Sequence, residues 1–167
     1  MENYMKLEIA AIGENESFAR SAVAAFALSL NPTLAELSDI KTAVSEAVTN
    51  CIVHAYKKQP CGKIVIECTL EREEHTGVDG ELLRGKGALH IRVADFGCGI
   101  EDVEKALTPF YTTLSGEERS GMGFTIMQTF MNDFSLQSEK GKGTQIFMRK
   151  NIGEIQSETV GNVVNAG

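Results

Sequence analysis

The spacing at which apolar residues recur changes along the chain, from every second residue to every third or fourth and back again. Residues 5–11 alternate like a strand with one buried face, whereas residues 18–29 have helical spacing and end before the breaker Pro32. Asn15 precedes this first helix and is a favourable N-cap residue. A chain that switches between the two periods must combine a sheet with helices.

A second helix is predicted to begin with a capping box formed by Thr33 and Glu36 and to extend to about Tyr56. Its apolar stripe consists of Leu37, Ile40, Val44, Val48, Cys51 and Ala55. Glu46 and Asn50 are one turn apart on the opposite, exposed face, taking about 100° per residue. A carboxylate beside a carboxamide can act as a general base next to an oxygen ligand for Mg²⁺, although such a pair alone is more often solvated surface.

The remaining pattern completes an α+β chain. After the second helix, strands are expected at 64–70 and 89–93, with a polar connection at 71–87 between them. A short helix at 101–107 and an irregular loop at 108–120 follow. The last expected elements are a helix beginning near Gly121 and a hairpin closed by a turn at 141–143. Five strands and three main helices favour a two-layer α/β sandwich, with helices on one face of a mixed, mostly antiparallel sheet. We assign residues 1–150 to one domain and expect residues 151–167 to form a frayed tail.

Composition and charge exclude several classes of function. The 23 acidic residues outnumber the 16 basic ones, and direct nucleic-acid binding would need a basic patch that the sequence lacks. The apolar run at 22–30 is far shorter than the roughly 20 residues of a membrane-spanning helix, and residues 1–6 do not resemble a signal peptide. The four cysteines and three histidines show no metal-ligand spacing, which favours reduced thiols. A cytoplasmic protein without membrane contact is therefore expected.

The exit from the strand at 89–93 is a second candidate site. Asp95 is followed by Gly97 and Gly99, so an ionised carboxylate that only accepts hydrogen bonds stands beside a backbone that can turn sharply. An adenine amino group is a natural partner for such an acceptor. The alternative is an ordinary strand exit rich in Asp and Gly.

Two further glycine-containing segments follow in the chain. Gly121 and Gly123 open a predicted helix, where free backbone N–H groups and little side-chain bulk favour a bound phosphate. The segment 141–143 is more often a tight turn than a binding site, although Thr144 can offer a hydroxyl to a base that lies against the sheet.

The order of these four segments resembles the N, G1, G2 and G3 boxes of the GHKL superfamily, whose Bergerat-type ATP-binding fold is an α/β sandwich. Residues 45–50 (SEAVTN) with 54–56 (HAY), and residues 118–127 (ERSGMGFTIM), are more similar still to the anti-sigma F factors of spore-forming bacteria, a family of serine-protein kinases. The resemblance covers roughly residues 5–150. It departs from the family in the long connection at 71–87, which lies away from every box.

The resemblance implies roles for individual residues toward ATP or ADP. The adenine pocket would contain Asp95, Gly97, Gly99 and Thr144, and the phosphate end would contain Asn50, Arg119, Gly121 and Gly123. Asn50 would also ligate Mg²⁺, and the loop at 108–120 would be the ATP lid. Glu46 would be the catalytic base that accepts the proton of a serine hydroxyl.

The resemblance also implies protein partners for a chain that usually forms a homodimer. In this family the protein holds a sporulation sigma factor inactive and phosphorylates an anti-anti-sigma factor on serine, and the bound nucleotide decides which partner it holds. Arg20 and its neighbour Glu16 would lie on a surface that both partners use. Without the resemblance, Arg20 is a lone charge on an alanine-rich helix, which is most often a solvated side chain.

Two other functions remain open at the level of sequence. Residues 108–113 (TPFYTT) resemble a loop in the ATP-binding half of sensor histidine kinases, which is the first alternative. Against it, only 45 residues precede Glu46, and none of the three histidines lies in a phosphoacceptor helix. The second alternative is a binding module that uses nucleotide to set its shape and transfers no phosphate, although Glu46 argues for catalysis.

Overall fold

The computed structural model describes residues 3–59, 61–72, 75–76, 82–83, 87–109 and 122–153. The strands are β1 (Asn3–Ala10), β2 (Lys63–Arg72), β3 (His75–Thr76), β4 (Leu82–Leu83), β5 (Gly87–Asp95), β6 (Asp133–Glu139) and β7 (Gly143–Ile152). The helices are α1 (Glu14–Ala27), α2 (Leu34–Asn50), α3 (Val103–Ala106) and α4 (Gly123–Phe130), with a 3₁₀ turn at Leu28–Leu30 and a π-helical turn at Cys51–Ala55.

Five strands form one sheet in the order β1-β2-β5-β7-β6. Each neighbouring pair in this sheet is antiparallel, so the expected α+β fold with a mostly antiparallel sheet is confirmed, and no parallel pair occurs among the described strands. The short strands β3 and β4 pair with each other within the connection that follows β2. Because β5 lies at the centre of the sheet, its C-terminal end is flanked by β2 and β7.

One face of the sheet carries the helices, and α2 contacts both α1 and α4. The predicted stripe of α2 is buried at Ile40, Val44 and Val48, which are fully covered by neighbouring side chains. Burying one aliphatic side chain of this size stabilises the fold by about 1.5 to 3 kcal/mol. The stripe therefore fixes the rotation of α2, and that rotation decides where Glu46 and Asn50 point.

The two long helices begin differently from each other. The capping box of α2 is present, with Thr33 N donating to Glu36 Oε2 at 2.7 Å and Glu36 N donating to Thr33 Oγ1 at 3.1 Å. The expected N-cap of α1 is wrong, because this helix begins at Glu14 after Gly13, and Asn15 instead donates its side-chain amide to Ala10 O at 2.9 Å. Asn15 thereby connects α1 to the end of β1.

Several predicted boundaries shift by a few residues. The second helix does reach residue 55, but its last turn is π-helical, and Tyr56 N donates to Cys51 O at 3.2 Å. The short helix at 101–107 is limited to α3, which Asp102 caps. β7 continues to the buried Ile152, beyond the expected domain limit at residue 150, and the rest of the predicted tail lies outside the described residues.

All four cysteines are free thiols, as expected, although only Cys51 and Cys68 are buried, whereas Cys61 and Cys98 are exposed. In the described part of the chain, no helix is both long enough and apolar enough to span a membrane.

Candidate functional site

The carboxylate of Asp95 lies at the end of β5 and is almost completely buried, with 5% of the residue exposed. Its Oδ1 atom accepts backbone hydrogen bonds from Gly97 N at 3.0 Å and from Thr144 N at 3.2 Å. The loop after β5 and the start of β7 therefore hold this side chain in place.

Burial raises the pKa of Asp95 above its ordinary value, and the backbone hydrogen bonds from Gly97 and Thr144 oppose this rise by stabilising the charged form. Burial also raises the pKa of the Cys51 thiol well above its ordinary value, and the nearby charge of Asp95 adds to that effect. The thiol therefore remains protonated near neutral pH and is able to donate. A buried, oriented acceptor of this kind suits a ligand with an amino group.

Gly97 and Gly99 allow the loop after β5 to pass between two other backbone segments. A Cβ atom at Gly97 would lie 2.4 Å from the carbonyl oxygen of Ala55, and one at Gly99 would lie 2.1 Å from that of Glu139. Gly99 also has a φ of +67°, in the left-handed region that favours glycine. Any side chain at either position would displace the loop that carries Asp95.

Side chains and backbone of the β6–β7 hairpin hold the far side of this loop. Gly141 N donates to Cys98 O at 2.7 Å, and Ile100 N donates to Ser138 Oγ at 2.8 Å. Ser138 Oγ also lies 2.9 Å from Thr144 Oγ1. Thr144 is buried in this hydroxyl pair, and Ser138 is a supporting residue that the sequence analysis missed, because it occupies an alternating strand without any motif.

Tyr56 fixes the near side of the loop. Its hydroxyl accepts a hydrogen bond from Phe96 N at 2.8 Å and donates to Lys63 O at 2.7 Å. The ring covers Gly62, where a Cβ atom would lie 2.3 Å from the ring carbons. In the sequence, Tyr56 ends the predicted second helix and belongs to the segment 54–56 that resembles the family, but no local signal indicates a contact with a residue 40 positions away.

Glu46 and Asn50 face the first residue of α4. A Cβ atom at Gly123 would lie 3.1 Å from Glu46 Oε2 and 3.3 Å from both polar atoms of the Asn50 side chain. The expected exposed face is therefore half-buried, because α4 covers part of it. Within the described ranges, neither side chain has a hydrogen-bond partner.

The N-terminal end of α4 adds backbone donors to this region. α4 begins at Gly123 after Met122, which provides no side-chain cap. The first N–H groups of a helix have no partner inside the helix and attract anions such as phosphate. The other residues predicted to contact phosphates, Arg119 and Gly121, lie outside the described residues, as does the predicted lid after Pro109.

Glu16 and Arg20 form a separate cluster on α1. Arg20 Nη1 lies 3.1 Å from Glu16 Oε1, and the Ser45 hydroxyl of α2 donates to the same carboxylate. Arg20 is therefore not an isolated charge. Because Ser45 precedes Glu46 in the chain, this cluster connects α1 to the helix that carries the predicted base.

The described residues contain no group of three or more His, Cys, Asp or Glu side chains arranged to hold a metal ion. Mg²⁺ commonly binds through one or two protein oxygens together with substrate phosphates and water. The amide oxygen of Asn50 is a suitable ligand of this kind, and it lies next to the N-terminal end of α4. The donor set fits a magnesium ion that is bound together with a nucleotide.

Comparison with known proteins identifies the family. The sequence profile of the histidine kinase-like ATPase domain matches residues 10–150. The anti-sigma F factor of Caldanaerobacter subterraneus subsp. tengcongensis is 50% identical over 151 residues, which cover 90% of this chain and 95% of that protein. This chain belongs to the anti-sigma F factor family of histidine kinase-like ATPases. The predicted GHKL membership is thereby confirmed.

Other relatives agree with this assignment. The anti-sigma F factor of Clostridium acetobutylicum is 47% identical over 156 residues, which cover 93% of this chain and 99% of that protein. Among solved structures, the mycobacterial sensor histidine kinase MprB has a TM-score of 0.48 and 17% identity, covering 71% of this chain and 74% of that chain. At that similarity, nothing about its activity transfers to this protein.

Proposed function

We propose that this protein is an ATP-binding anti-sigma factor that inhibits a sporulation sigma factor and, as a serine kinase, phosphorylates an anti-anti-sigma factor. One observation carries the proposal. Asp95 provides a buried carboxylate at the end of β5, and Glu46 provides a half-buried carboxylate beside the N-terminal end of α4. α2 and its π-helical turn connect these two places, and the relatives of this chain are named anti-sigma F factors.

In this proposal the nucleotide base meets Asp95. The carboxylate accepts a hydrogen bond from the exocyclic amino group of adenine, because Oδ1 is already oriented by two backbone N–H groups. Gly97 and Gly99 keep the loop close to the hairpin, and Thr144 closes the pocket beside the carboxylate. Burial makes an unsatisfied carboxylate unfavourable, so a base with a donor at this position is preferred.

The phosphates then extend toward the N-terminal end of α4. Gly123 lies within reach of the Glu46 and Asn50 side chains, and its small size leaves room for phosphate oxygens. Gly121 and Arg119 complete the phosphate contacts in the proposal. Asn50 would hold Mg²⁺ together with the phosphates, where the ion would supply positive charge toward the transferring group.

Phosphoryl transfer follows from this placement. The oxygen of the target serine forms a bond to the γ-phosphorus as the bond between that phosphorus and the β-phosphate oxygen breaks, which releases ADP. Glu46 accepts the proton of the serine hydroxyl. Its carboxylate is not engaged by other described side chains, which supports a role in proton transfer over a role in packing.

Regulation of two partners is the second part of the proposal. Arg20 and Glu16 contact both the sigma factor and the anti-anti-sigma factor, so the two partners compete for one surface of the homodimer. The hydrogen bond from Ser45 to Glu16 supports communication with the nucleotide site, because it connects the partner surface to α2.

The test combines the purified chain with γ-labelled ATP and a candidate anti-anti-sigma protein. Transfer of label to a serine of that protein is expected, and capture of a sigma factor in the presence of ATP is expected in a parallel pull-down. Incubation with ATP alone distinguishes the histidine kinase alternative, because label on a histidine of this chain would contradict the proposal. ATP binding without any transfer would instead support a non-catalytic module.

A further inference from the structure

Three polar side chains lie next to one another at the end of the sheet where the base pocket is proposed. Asp95, Thr144 and Ser138 belong to the neighbouring strands β5, β7 and β6, and Thr144 is the register partner of Ser138. Further along β7, the same face of the strand carries the buried Ile146 and Met148. The core-facing row of β7 therefore changes from apolar to polar where it reaches Asp95.

The hydroxyl of Ser138 makes three contacts with other polar groups. Ile100 N donates to Ser138 Oγ at 2.8 Å, and Ser138 Oγ donates to Gly143 O at 3.0 Å. The third contact is with Thr144, whose Oγ1 atom lies 2.9 Å from Ser138 Oγ. A serine hydroxyl has one proton to donate and two lone pairs to accept with, so three hydrogen bonds use its full capacity.

Only one arrangement of protons makes all three contacts hydrogen bonds. The carbonyl oxygen of Gly143 can only accept, so the single proton of Ser138 points to it. The N–H group of Ile100 uses one lone pair of Ser138 Oγ. The contact with Thr144 must use the second lone pair, so Thr144 supplies the proton of that hydrogen bond. A hydroxyl that has given its proton to Ser138 has only lone pairs to offer to another group.

We propose that Ser138 is a positioning residue for the Thr144 hydroxyl, whose proton it accepts so that Thr144 and Asp95 both present hydrogen-bond acceptors to an exocyclic amino group of the base. The inference rests on the nucleotide-binding function proposed above. Thr144 is placed beside Asp95 because its backbone N–H donates to Asp95 Oδ1 at 3.2 Å. An amino group carries two N–H protons, which suits two neighbouring acceptors.

The direction of the Thr144 proton matters because the two acceptors are buried. Thr144 is 8% exposed and Asp95 is 5% exposed, so little water is present to pair with a mismatched group. The oxo group of hypoxanthine or guanine only accepts, and it would meet two acceptors with no proton between them. Without the Ser138 hydroxyl, the Thr144 proton can rotate toward the base and donate to an oxo group. Ser138 thus contributes to the choice of base.

Four variants separate the direction of this proton from a general loss of structure. Ser138→Ala removes the acceptor of the Thr144 proton, whereas Ser138→Thr keeps a hydroxyl at the same place. Ser135→Ala is the matched control, because Ser135 lies on the same strand with an exposed side chain on the opposite face. Thr144→Val removes the hydroxyl whose proton is redirected, and it is also combined with Ser138→Ala.

The first measurement uses the ligand-free protein. The exchange of the Thr144 hydroxyl proton with water is followed by NMR, and its signal is assigned by its loss in Thr144→Val. We expect slow exchange in wild type and in Ser138→Thr, and faster exchange in Ser138→Ala. Equal exchange in wild type and Ser138→Ala would overturn the proposal. If Ser138→Ala does not fold, wild type alone decides, because a Thr144 proton that exchanges as fast as the exposed Ser135 hydroxyl would also overturn it.

The second measurement is the ratio of ADP affinity to inosine diphosphate affinity. We expect wild type to prefer ADP, and Ser138→Ala to lower this preference by about tenfold, since one unpaired buried polar group is relieved in the complex with inosine diphosphate. Ser138→Thr and Ser135→Ala should keep the wild-type ratio. The lost contacts of Ile100 and Gly143 weaken both nucleotides in Ser138→Ala, and so they leave the ratio unchanged.

The combined variant shows whether the effect passes through Thr144. In the Thr144→Val background, Ser138→Ala should leave the ratio unchanged, because no hydroxyl proton remains to be redirected. An unchanged ratio in Ser138→Ala alone, or an equal fall in both backgrounds, would contradict a role of Ser138 in base selection. If wild type binds neither nucleotide, the proposed function fails, while the exchange measurement still decides whether Ser138 accepts the Thr144 proton.

Discussion

The two ends of the candidate site are built in opposite ways. At the base end, Asp95 is buried and engaged by the backbone of Gly97 and Thr144, and the surrounding loop is fixed from both sides. At the phosphate end, Glu46 and Asn50 are half-buried and make no hydrogen bond within the described part of the chain. The base end is complete before a ligand binds, whereas the phosphate end offers polar groups for the ligand to satisfy.

This difference separates recognition from chemistry. A rigid, desolvated pocket can select one base because a mismatched group leaves a buried polar atom unpaired, which costs about 1 to 3 kcal/mol. A region that carries out proton and phosphoryl transfer needs groups whose partners change during the reaction. Variants at the base end should therefore affect stability and the affinity for both nucleotides, whereas variants at the phosphate end should affect the rate of transfer or the preference between ATP and ADP.

The largest effect is expected for Glu46→Gln at the phosphate end. Removing the base while preserving its shape should slow transfer to serine by about 10²- to 10⁴-fold and leave ADP affinity nearly unchanged. Transfer rate and ADP affinity are measured on the same preparation. Glu8→Gln, which alters an exposed ion pair with Lys63 on the sheet, serves as the control. A near wild-type rate in Glu46→Gln would remove Glu46 from the role of base.

Alanine at three glycines tests how rigid each end is. Gly99→Ala should lower the free energy of unfolding by more than about 2 kcal/mol and weaken ADP binding, since it adds a clash with Glu139 O to a left-handed φ. Gly141→Ala has a comparable φ of +81° with open space around it, so it measures the strain alone. Gly123→Ala meets only side-chain ends at 3.1 Å or more, so its free energy of unfolding should stay close to that of wild type. Equal losses of unfolding free energy in Gly99→Ala and Gly123→Ala would contradict the proposed difference in rigidity between the two ends.

A charge reversal on α1 tests whether the partner surface is distinct from both ends. Arg20→Glu should weaken capture of the sigma factor and of the anti-anti-sigma factor by about tenfold, because it reverses a charge at a shared contact. ADP affinity should not change. The experiment is a pull-down of each partner under ATP and under ADP, with a parallel nucleotide titration. Undiminished capture of both partners would assign Arg20 to an intramolecular ion pair with Glu16 only.

The smallest expected effect is a pH dependence of stability that originates at the base end. Burial raises the folded-state pKa of Asp95 above its ordinary value of 3.8, so its contribution to stability is largest at low pH and is lost as pH rises through the folded pKa. Asp95→Asn lacks this loss. The free energy of unfolding of Asp95→Asn minus that of wild type should therefore rise as the pH increases from 3.8 through the folded-state pKa of Asp95. Chemical denaturation at a series of pH values measures this difference. A difference that stays constant with pH would contradict the assigned cost of burying the charge.

The sequence predicts the features that depend on neighbouring residues. The capping box of Thr33 and Glu36 and the apolar stripe of α2 are local patterns, and both appear in the structure as expected. The position of Asp95 at a strand exit is also a local signal. These features are predictable because each one requires only a periodic pattern or a short motif.

The remaining features depend on contacts between distant segments. The π-helical turn has no sequence signal of its own, and the apolar periodicity of α2 passes through Cys51 without interruption. The hydrogen bonds of Tyr56 and Ser138 join residues that become neighbours only after the sheet and hairpin form. The half-buried state of Glu46 depends on the placement of α4 against α2. Local patterns could not reveal any of these contacts.

The most direct test of the two-ended site is the calorimetric ratio of ATP to ADP affinity in Asp95→Asn and Asn50→Ala, each measured with Mg²⁺. Asp95→Asn should weaken both nucleotides by about 10- to 100-fold and leave the ratio unchanged, because the base is common to both. Asn50→Ala should weaken ATP more than ADP and so change the ratio. Wild-type affinities in Asp95→Asn, or a ratio that changes in Asp95→Asn and stays constant in Asn50→Ala, would contradict the account.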